Sequence, residues 1–343
     1  MITDGRSNHV TNLSGKRVLL FTSFLFNYHY MIKEQIEKEG AVVHLYDERN
    51  HPSSIEKIMI RKMKVLMSHR TENYYKAIID IEMNFNPDFV LFVSPEAITA
   101  KALRMLRKAY PNSVFILYMW DSIKNKGIKK LVALFDKKYS FDPQDCKTYD
   151  MIFRPLFYGN SFEKNDDKKR FNYDLSFIGT VHSDRARILL QIKEYCDKNN
   201  LSYYFYLFVP GKPLAVLRWI FTPEFRKWEK SYIHTSPLSK NEVAKISSET
   251  RCVIDINHPN QTGLTMRTIE MVGLNQKLMT TNKNITEYDF YRPVNQIVIS
   301  RDCVNVDIQD IKSSYISIER SIYTKYSLKQ WVRDIFMVEG NQL

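Results

Sequence analysis

Four apolar runs, residues 17–21 (RVLLF), 41–46 (AVVHLY), 89–93 (FVLFV) and 113–118 (SVFILY), recur in the first part of the chain with longer amphipathic stretches between them. A strand that is apolar on both faces leaves no side for water, so its sheet must be covered twice. Helical crossovers do this for parallel strands. The first half is therefore expected to be a Rossmann-like β-α repeat, with helices at 28–39 closed by Gly40, at 53–67, at 72–85, at 96–109 stopped by Tyr110-Pro111, and near 128–135. Short strands at 138–140 and 151–154 complete it, and the polar stretch 155–169, with its charged run 163–170, reads as a linker.

The second half repeats this logic: strand 175–178, helix 184–198, strand 203–208, helix 240–248, strand 252–256, helix 264–272 and strand 277–280. No fixed-period sequence repeat accompanies it. The chain of 343 residues is long enough for two α/β domains of common size, here 1–158 and 171–316, with 317–343 carrying a helix at 328–336 that packs back across the junction.

Lys and Arg number 50 against 38 Asp and Glu, and the resulting charge of +12 favours an anionic partner. The basic residues are dispersed and no nucleic-acid motif accompanies them, so nucleic acid fits poorly. Cys146, Cys196, Cys252 and Cys303 are far apart, with no C-x-x-C pair, as in a reduced compartment. The polar start MITDGRSNHV has no apolar leader, and no run reaches the roughly 18–20 apolar residues of a membrane span, so the expected location is cytoplasmic.

Residues 262–281 (TGLTMRTIEMVGLNQKLMTT) read as a glycine turn, a helix and a strand. Gly263 opens the segment, Ile269, Met271 and Val272 give the helix an apolar face, and Glu270 follows Arg267 by one turn. Helix N-termini attract phosphate. This order resembles the donor-binding segment of GT-B fold glycosyltransferases. Together with residues 174–180 (DLSFIGT) and 288–291 (YDFY) it is similar to bacterial capsule and lipopolysaccharide glycosyltransferases of the polysaccharide biosynthesis type. The resemblance covers the C-terminal half and, in layout, the N-terminal half.

That resemblance implies two Rossmann-like α/β domains facing across a cleft, a nucleotide-sugar donor held by the second domain and a glycan or lipid-linked glycan acceptor by the first. Glu270 would hold the donor ribose and Arg267 its phosphates. Many retaining members carry a second glutamate eight positions earlier. Here that position is Thr262, which leaves inversion and retention both open.

Further donor candidates lie at strand ends. Gly179 and Thr180 close one strand, and His182 and Arg185 follow, where cations can neutralise phosphate. The alternative is a plain β-α turn capped by Asp184. Asn257, His258, Gln261, Thr262, Gly263, Leu264 and Thr265 lie on the approach to and start of the helix at 264–272, although Asn257 and Asn260 can equally satisfy turn backbone groups. Candidate acceptor-side or catalytic groups are His29 in the first loop, Asp121 after the fourth strand and Glu96 at a helix start, each with an ordinary structural alternative. No Asp-x-Asp pair appears and Asp80-Ile81-Glu82 reads as helical, so no metal or other cofactor is expected. Residues 212–230 (KPLAVLRWIFTPEFRKWEK) mix aromatic and basic side chains, which suits either an anionic membrane surface or a core helix whose charges snorkel.

Three functions fit these features: a glycosyltransferase, a sugar-nucleotide epimerase of the same architecture, and a non-catalytic sugar- or nucleotide-binding partner in a polysaccharide assembly complex.

Overall fold

The computed structural model describes residues 13–24, 27–49, 64–164, 170–259 and 261–336. The chain divides into two compact units, residues 1–155 with 328–343, and residues 156–327.

Unit 1 is built on a six-stranded parallel sheet: β1 (Arg17–Thr22), β2 (Val42–Asp47), β3 (Phe89–Val93), β4 (Val114–Met119), β5 (Lys137–Ser140) and β6 (Ile152–Phe153), in the order β2-β1-β3-β4-β5-β6. All five residues of β3 are buried. Helices α1 (Tyr28–Lys38), α2 (Lys64–Ile81), α3 (Ala100–Ala109), α4 (Ile123–Lys126) and α5 (Pro143–Tyr149) provide the crossovers. On one face Leu19, Phe21, Val90, Phe92, Phe115 and Leu117 join the core, with Phe21 and Phe92 stacked at 4.6 Å.

The closing helix Leu328–Phe336 belongs to this unit. Trp331, Ile335 and Phe336 are fully buried, Trp331 edge-on to Tyr118 at 4.7 Å, and each such apolar side chain stabilises by roughly 1.5–3 kcal/mol. Arg333 pairs with Glu39 at 3.0 Å and Asp334 with Arg154 at 2.6 Å, which fixes the helix's rotation.

Unit 2 carries a second parallel sheet: β7 (Tyr173–Thr180), β8 (Tyr203–Phe208), β9 (Ile233–His234), β10 (Thr250–Asp255), β11 (Lys277–Thr280) and β12 (Gln296–Val298). Its order, β9-β8-β7-β10-β11-β12, is the doubly wound arrangement in which the winding direction reverses between the first and fourth strands, β7 and β10. Its helices include α6 (Arg185–Lys198), α7 (Lys212–Phe221), α8 (Lys240–Ser248) and α9 (Met266–Gly273). The four cysteines are all free thiols. Among the described residues, no helix is long and apolar enough to cross a membrane.

Several local expectations are corrected. Residues 53–63 of one expected helix lie outside the described residues, and the rest of it is continuous with the next helix as α2. No Gly or Pro falls in 64–81 to break it. The helix expected from residue 96 starts at Ala100: the left-handed Ser94 (φ 48°) and bends at Glu96 and Ala97 keep the chain out of helix until Thr99 caps Ala102. The helix expected near 128–135 is a 3-10 turn, Lys129–Leu134. The start of the expected linker is not a polar spacer: Leu156, Phe157, Tyr158 and Phe162 are buried. Strands β9 and β12, of two and three residues, were not expected at all.

Candidate functional site

In doubly wound sheets a ligand binds beyond the carboxyl ends of the strands where the winding reverses. In unit 2 this point lies between Thr180, at the end of β7, and Asp255 to Asn257, at the end of β10 and just beyond. Arg185 opens α6 there. Its Nε donates to the Ile256 carbonyl at 2.7 Å and its Nη1 to the Thr180 carbonyl at 2.8 Å, so one guanidinium spans the two strand ends. Burial lowers its pKa, with the Asp255 carboxylate opposing that shift.

Asp255 accepts from the Thr265 and Thr268 hydroxyls at 2.8 and 2.9 Å. Thr265 in turn caps α9 by accepting from the Thr268 N–H. A buried carboxylate thus ties the end of β10 to the first turn of α9, and the cap explains why a Thr stands there. The same turn positions Arg267, whose Nη1 lies 3.4 Å from Glu270 Oε2. Glu270 is buried although ionisable.

Lys240, the first residue of α8, stands against this pair. Burial pulls its ammonium down to about 7, with Glu270 opposing the shift and Arg267 adding to it. Ser239 and Glu242 form a reciprocal capping box that fixes this helix start. A lysine poised near neutrality beside a carboxylate and an arginine has the environment of a functional group rather than of a solvated surface charge.

The loop from β7 to α6 carries His182 and the left-handed Ser183 (φ 51°). Burial, with Arg185, His258 and Arg218 adding to it, pushes His182 down to about 4. His182 is therefore neutral near pH 7, and of the two cations expected in this loop only Arg185 carries charge there. His182 and His258 stand 5.9 Å apart, ring centre to ring centre. Asp184 occupies the N-cap position of α6 but makes no side-chain cap bond. It receives both bonds of Arg301 Nη1 at 2.9 Å, while Arg301 Nη2 holds the Asn257 carbonyl and side chain, each at 2.7 Å.

The remaining donor candidates separate by what they touch. Asn257 donates to the carbonyls of His258 and Gln261, and Gln261 to that of Gly263, so both side chains brace the loop, as the turn reading of Asn257 allowed. Asn260 lies outside the described residues. Thr262 and Gly263 are held through their carbonyls by Asn282. Leu264 is core. Gly179 is in strand rather than turn, and a Cβ there would stand 3.0 Å from the Phe177 ring. Its small size serves packing within the sheet.

In unit 1 the winding reverses between β1 and β3. Around these strand ends Glu48 is fully buried, accepting from the N–H groups of Glu96 and Ala97 at 3.1 and 3.0 Å. Burial pushes its carboxyl up to about 7, against the pull of those N–H groups. Lys126 bonds Glu96 at 3.0 Å and lies 3.8 Å from Asp121. Two of the expected candidates, Glu96 and Asp121, thus share one ammonium; Glu96 is buried and Asp121 is 41% exposed. His29 sits in α1 rather than in a loop, buried against Phe24 and Tyr30 at 4.2 Å from each.

Sequence reading passed over Lys240, Arg301, Glu48 and Lys126 as site residues. The Ser-Lys-Asn-Glu start of α8 was the only local signal for Lys240, and it marks a helix, not a burial. Among the described residues no three His, Cys, Asp or Glu side chains gather as metal ligands would.

Two parallel six-stranded Rossmann-like domains make this an α/β protein of GT-B architecture. No family model matches the chain, and no curated protein matches it in sequence. Solved structures match along almost its whole length. HepE from Anabaena, in complex with UDP-glucose, superimposes with a TM-score of 0.54 at 10% identity, over 93% of this chain and 95% of that one. The trehalose-6-phosphate protein of E. coli, bound with UDP-2-fluoro glucose, gives 0.56 at 7% identity, over 94% and 100%. The UDP-GlcNAc 2-epimerase of Methanocaldococcus jannaschii, in complex with UDP-GlcNAc and UDP, gives 0.51 at 12%, over 93% and 99%. At these identities the likeness is one of fold.

Proposed function

We propose that the chain is a glycosyltransferase that moves a sugar from a nucleotide-sugar donor to a growing bacterial surface polysaccharide, capsular or lipopolysaccharide in type and carried on a lipid. The observation that carries this reading is the arginine held across the winding reversal of unit 2, with Arg267, Glu270 and Lys240 beside the same strand ends. A nucleoside diphosphate offers two charged phosphates and a ribose diol. Arg185 and the first turn of α9 take the phosphates, Glu270 accepts from the ribose hydroxyls, and Arg267 and Lys240 neutralise the leaving diphosphate as the glycosidic bond breaks.

On the acceptor side Asp121 is the base in this reading. Its carboxylate is the more exposed of the two beside Lys126, whereas Glu96 is buried and ion-paired and His29 is enclosed by aromatic rings. Glu96 and His29 then support the strand ends. No metal takes part in the proposed transfer, since cationic side chains meet the departing charge.

The compared structures solved with UDP or a UDP-sugar put UDP-sugars first among donors to test. Incubating the protein with each donor, with and without lipid-linked glycan, decides the class. Sugar transfer only when acceptor is present supports the proposal; an altered sugar nucleotide formed without acceptor makes the chain an epimerase, the reading the fold of the M. jannaschii enzyme keeps in view.

A further inference from the structure

Helix α7 has an apolar sequence and no buried residue. Leu214, Val216, Leu217, Trp219, Ile220 and Phe221 are all exposed, Trp219 at 55% and Phe221 at 75%. Only Ala215 and Arg218, one turn apart and so on a single stripe, face inward; Ala215 packs on the core of unit 2. A helix apolar around most of its circumference is ordinarily buried, and single exposed apolar residues are common whereas a contiguous set of six is not. The free energy of leaving them in water implies a partner that removes them from it.

The charges around the helix select that partner. Between Gly211 and Lys230 there are five basic side chains, Lys212, Arg218, Arg226, Lys227 and Lys230, against two acidic ones, Glu224 and Glu229. All but Arg218 and Glu224 are exposed. We infer that α7 docks on an anionic phospholipid surface, with Trp219, Ile220 and Phe221 entering the boundary between head groups and acyl chains while the basic residues meet lipid phosphates. Trp and Phe on an apolar face with Lys and Arg alongside is the composition of helices that lie in a membrane interface.

A second copy of the chain fits less well. A two-fold pairing through α7 would set these basic residues against their own copies, in a protein already at +12. A protein that grips one helix does so in a groove along one face, whereas α7 presents apolar side chains around most of its turn. Helix α7 starts at Lys212, four residues past the carboxyl end of β8 at Phe208, so docking through α7 brings that end of the unit 2 sheet toward the membrane surface. The inference stands whether or not the glycosyltransferase reading does.

Co-sedimentation of the full chain with phosphatidylcholine vesicles, with and without phosphatidylglycerol, tests it. Wild-type protein should pellet with the anionic vesicles and lose that binding in high salt. Trp219→Ser with Phe221→Ser should reduce partitioning by about tenfold or more with an unchanged melting curve, these side chains being exposed. Arg226→Glu with Lys227→Glu should reduce binding to anionic vesicles by a similar factor without touching the apolar face. No pelleting of the wild type, equal pelleting of the serine variant, or a lipid-free self-association that the serine variant abolishes would each overturn the inference, the last in favour of a second copy.

Discussion

The Arg267 guanidinium stands 3.4 Å from the Glu270 carboxylate, one turn along α9, with Glu270 buried and Arg267 half-buried. Arg267 Nη1 has no hydrogen-bond partner among the described residues, and Nη2 reaches the Ile178 carbonyl only at 3.5 Å. The cation is held in place with hydrogen-bonding capacity to spare, a condition suited to receiving an anion. Arg267→Leu should weaken nucleotide-sugar binding by roughly 1.5–3 kcal/mol, about tenfold to 150-fold, as a charge-assisted bond does. Titration calorimetry reads this directly, and an unchanged affinity would remove Arg267 from the donor site.

Lys240 ties stability to pH. Its pKa is about 7 in the folded chain and about 10.5 unfolded, so between these values the unfolded state binds more protons and stability rises with pH. Below pH 7 the cost of burying the ammonium is fully present. Lys240→Met should therefore raise the urea midpoint at pH 7, and that gain should shrink as the pH climbs toward 10. The same variant should bind nucleotide more weakly. A gain that stays constant across the range would show that Lys240 titrates normally.

Asp255 holds the end of β10 to the first turn of α9 through two threonine hydroxyls and opposes the effect of burial on Arg185. Asp255→Ala leaves both hydroxyls and the guanidinium without that carboxylate. Loss of about 3–5 kcal/mol of stability is expected, the range for removing one member of a buried charged group. Asp255→Asn, which keeps one acceptor oxygen, should cost less. Chemical denaturation of the two variants side by side checks the order.

Gly273 closes α9 where a Cβ would lie 2.2 Å from the Phe162 carbonyl oxygen and 2.5 Å from Tyr158 Cγ. Backbone and a buried ring cannot both yield at those distances. Gly273→Ala should lower the melting temperature, at a cost of about 1–3 kcal/mol or more, while the folded fraction keeps its donor affinity. An unaltered melting temperature would contradict the packing described.

If cationic side chains alone meet the leaving diphosphate, transfer should survive EDTA and gain nothing from added magnesium or manganese. A rate restored only by metal would end that part of the proposal.

The parallel sheets were legible because strands buried on both faces must be continuously apolar; β3 is found at the residues its pattern marks. The place of Arg185 at the start of α6 was legible because a basic residue opening a helix after a strand-end glycine is a local pattern. Lys240 could not, because its burial comes from packing near Arg267 and Glu270, about thirty positions away along the chain. The glycines carry a packing constraint that the local sequence does not show: a Cβ at Gly179 would crowd the Phe177 ring, and one at Gly273 would crowd Tyr158 and Phe162. Helix α7 was ambiguous for a related reason. Apolar residues interleaved with basic ones read alike whether the apolar face meets a core or solvent, and only the structure shows that, of residues 212–221, all but Ala215 and Arg218 are exposed. Strands as short as β9 and β12 carry too few residues for any periodicity.

The central claim is that unit 2 binds a nucleotide sugar through Glu270 and its neighbours. The most direct test is a thermal-shift and calorimetric titration of wild type and Glu270→Ala with UDP-, GDP-, CMP- and dTDP-linked sugars and their free nucleotides, since a ligand that binds only the folded state raises the melting temperature. The account predicts a shift selective for one nucleotide class in the wild type, lost or weakened at least about tenfold in Glu270→Ala, a change of roughly 1.4 kcal/mol. No shift with any nucleotide, or a shift of equal size in the variant, would contradict it.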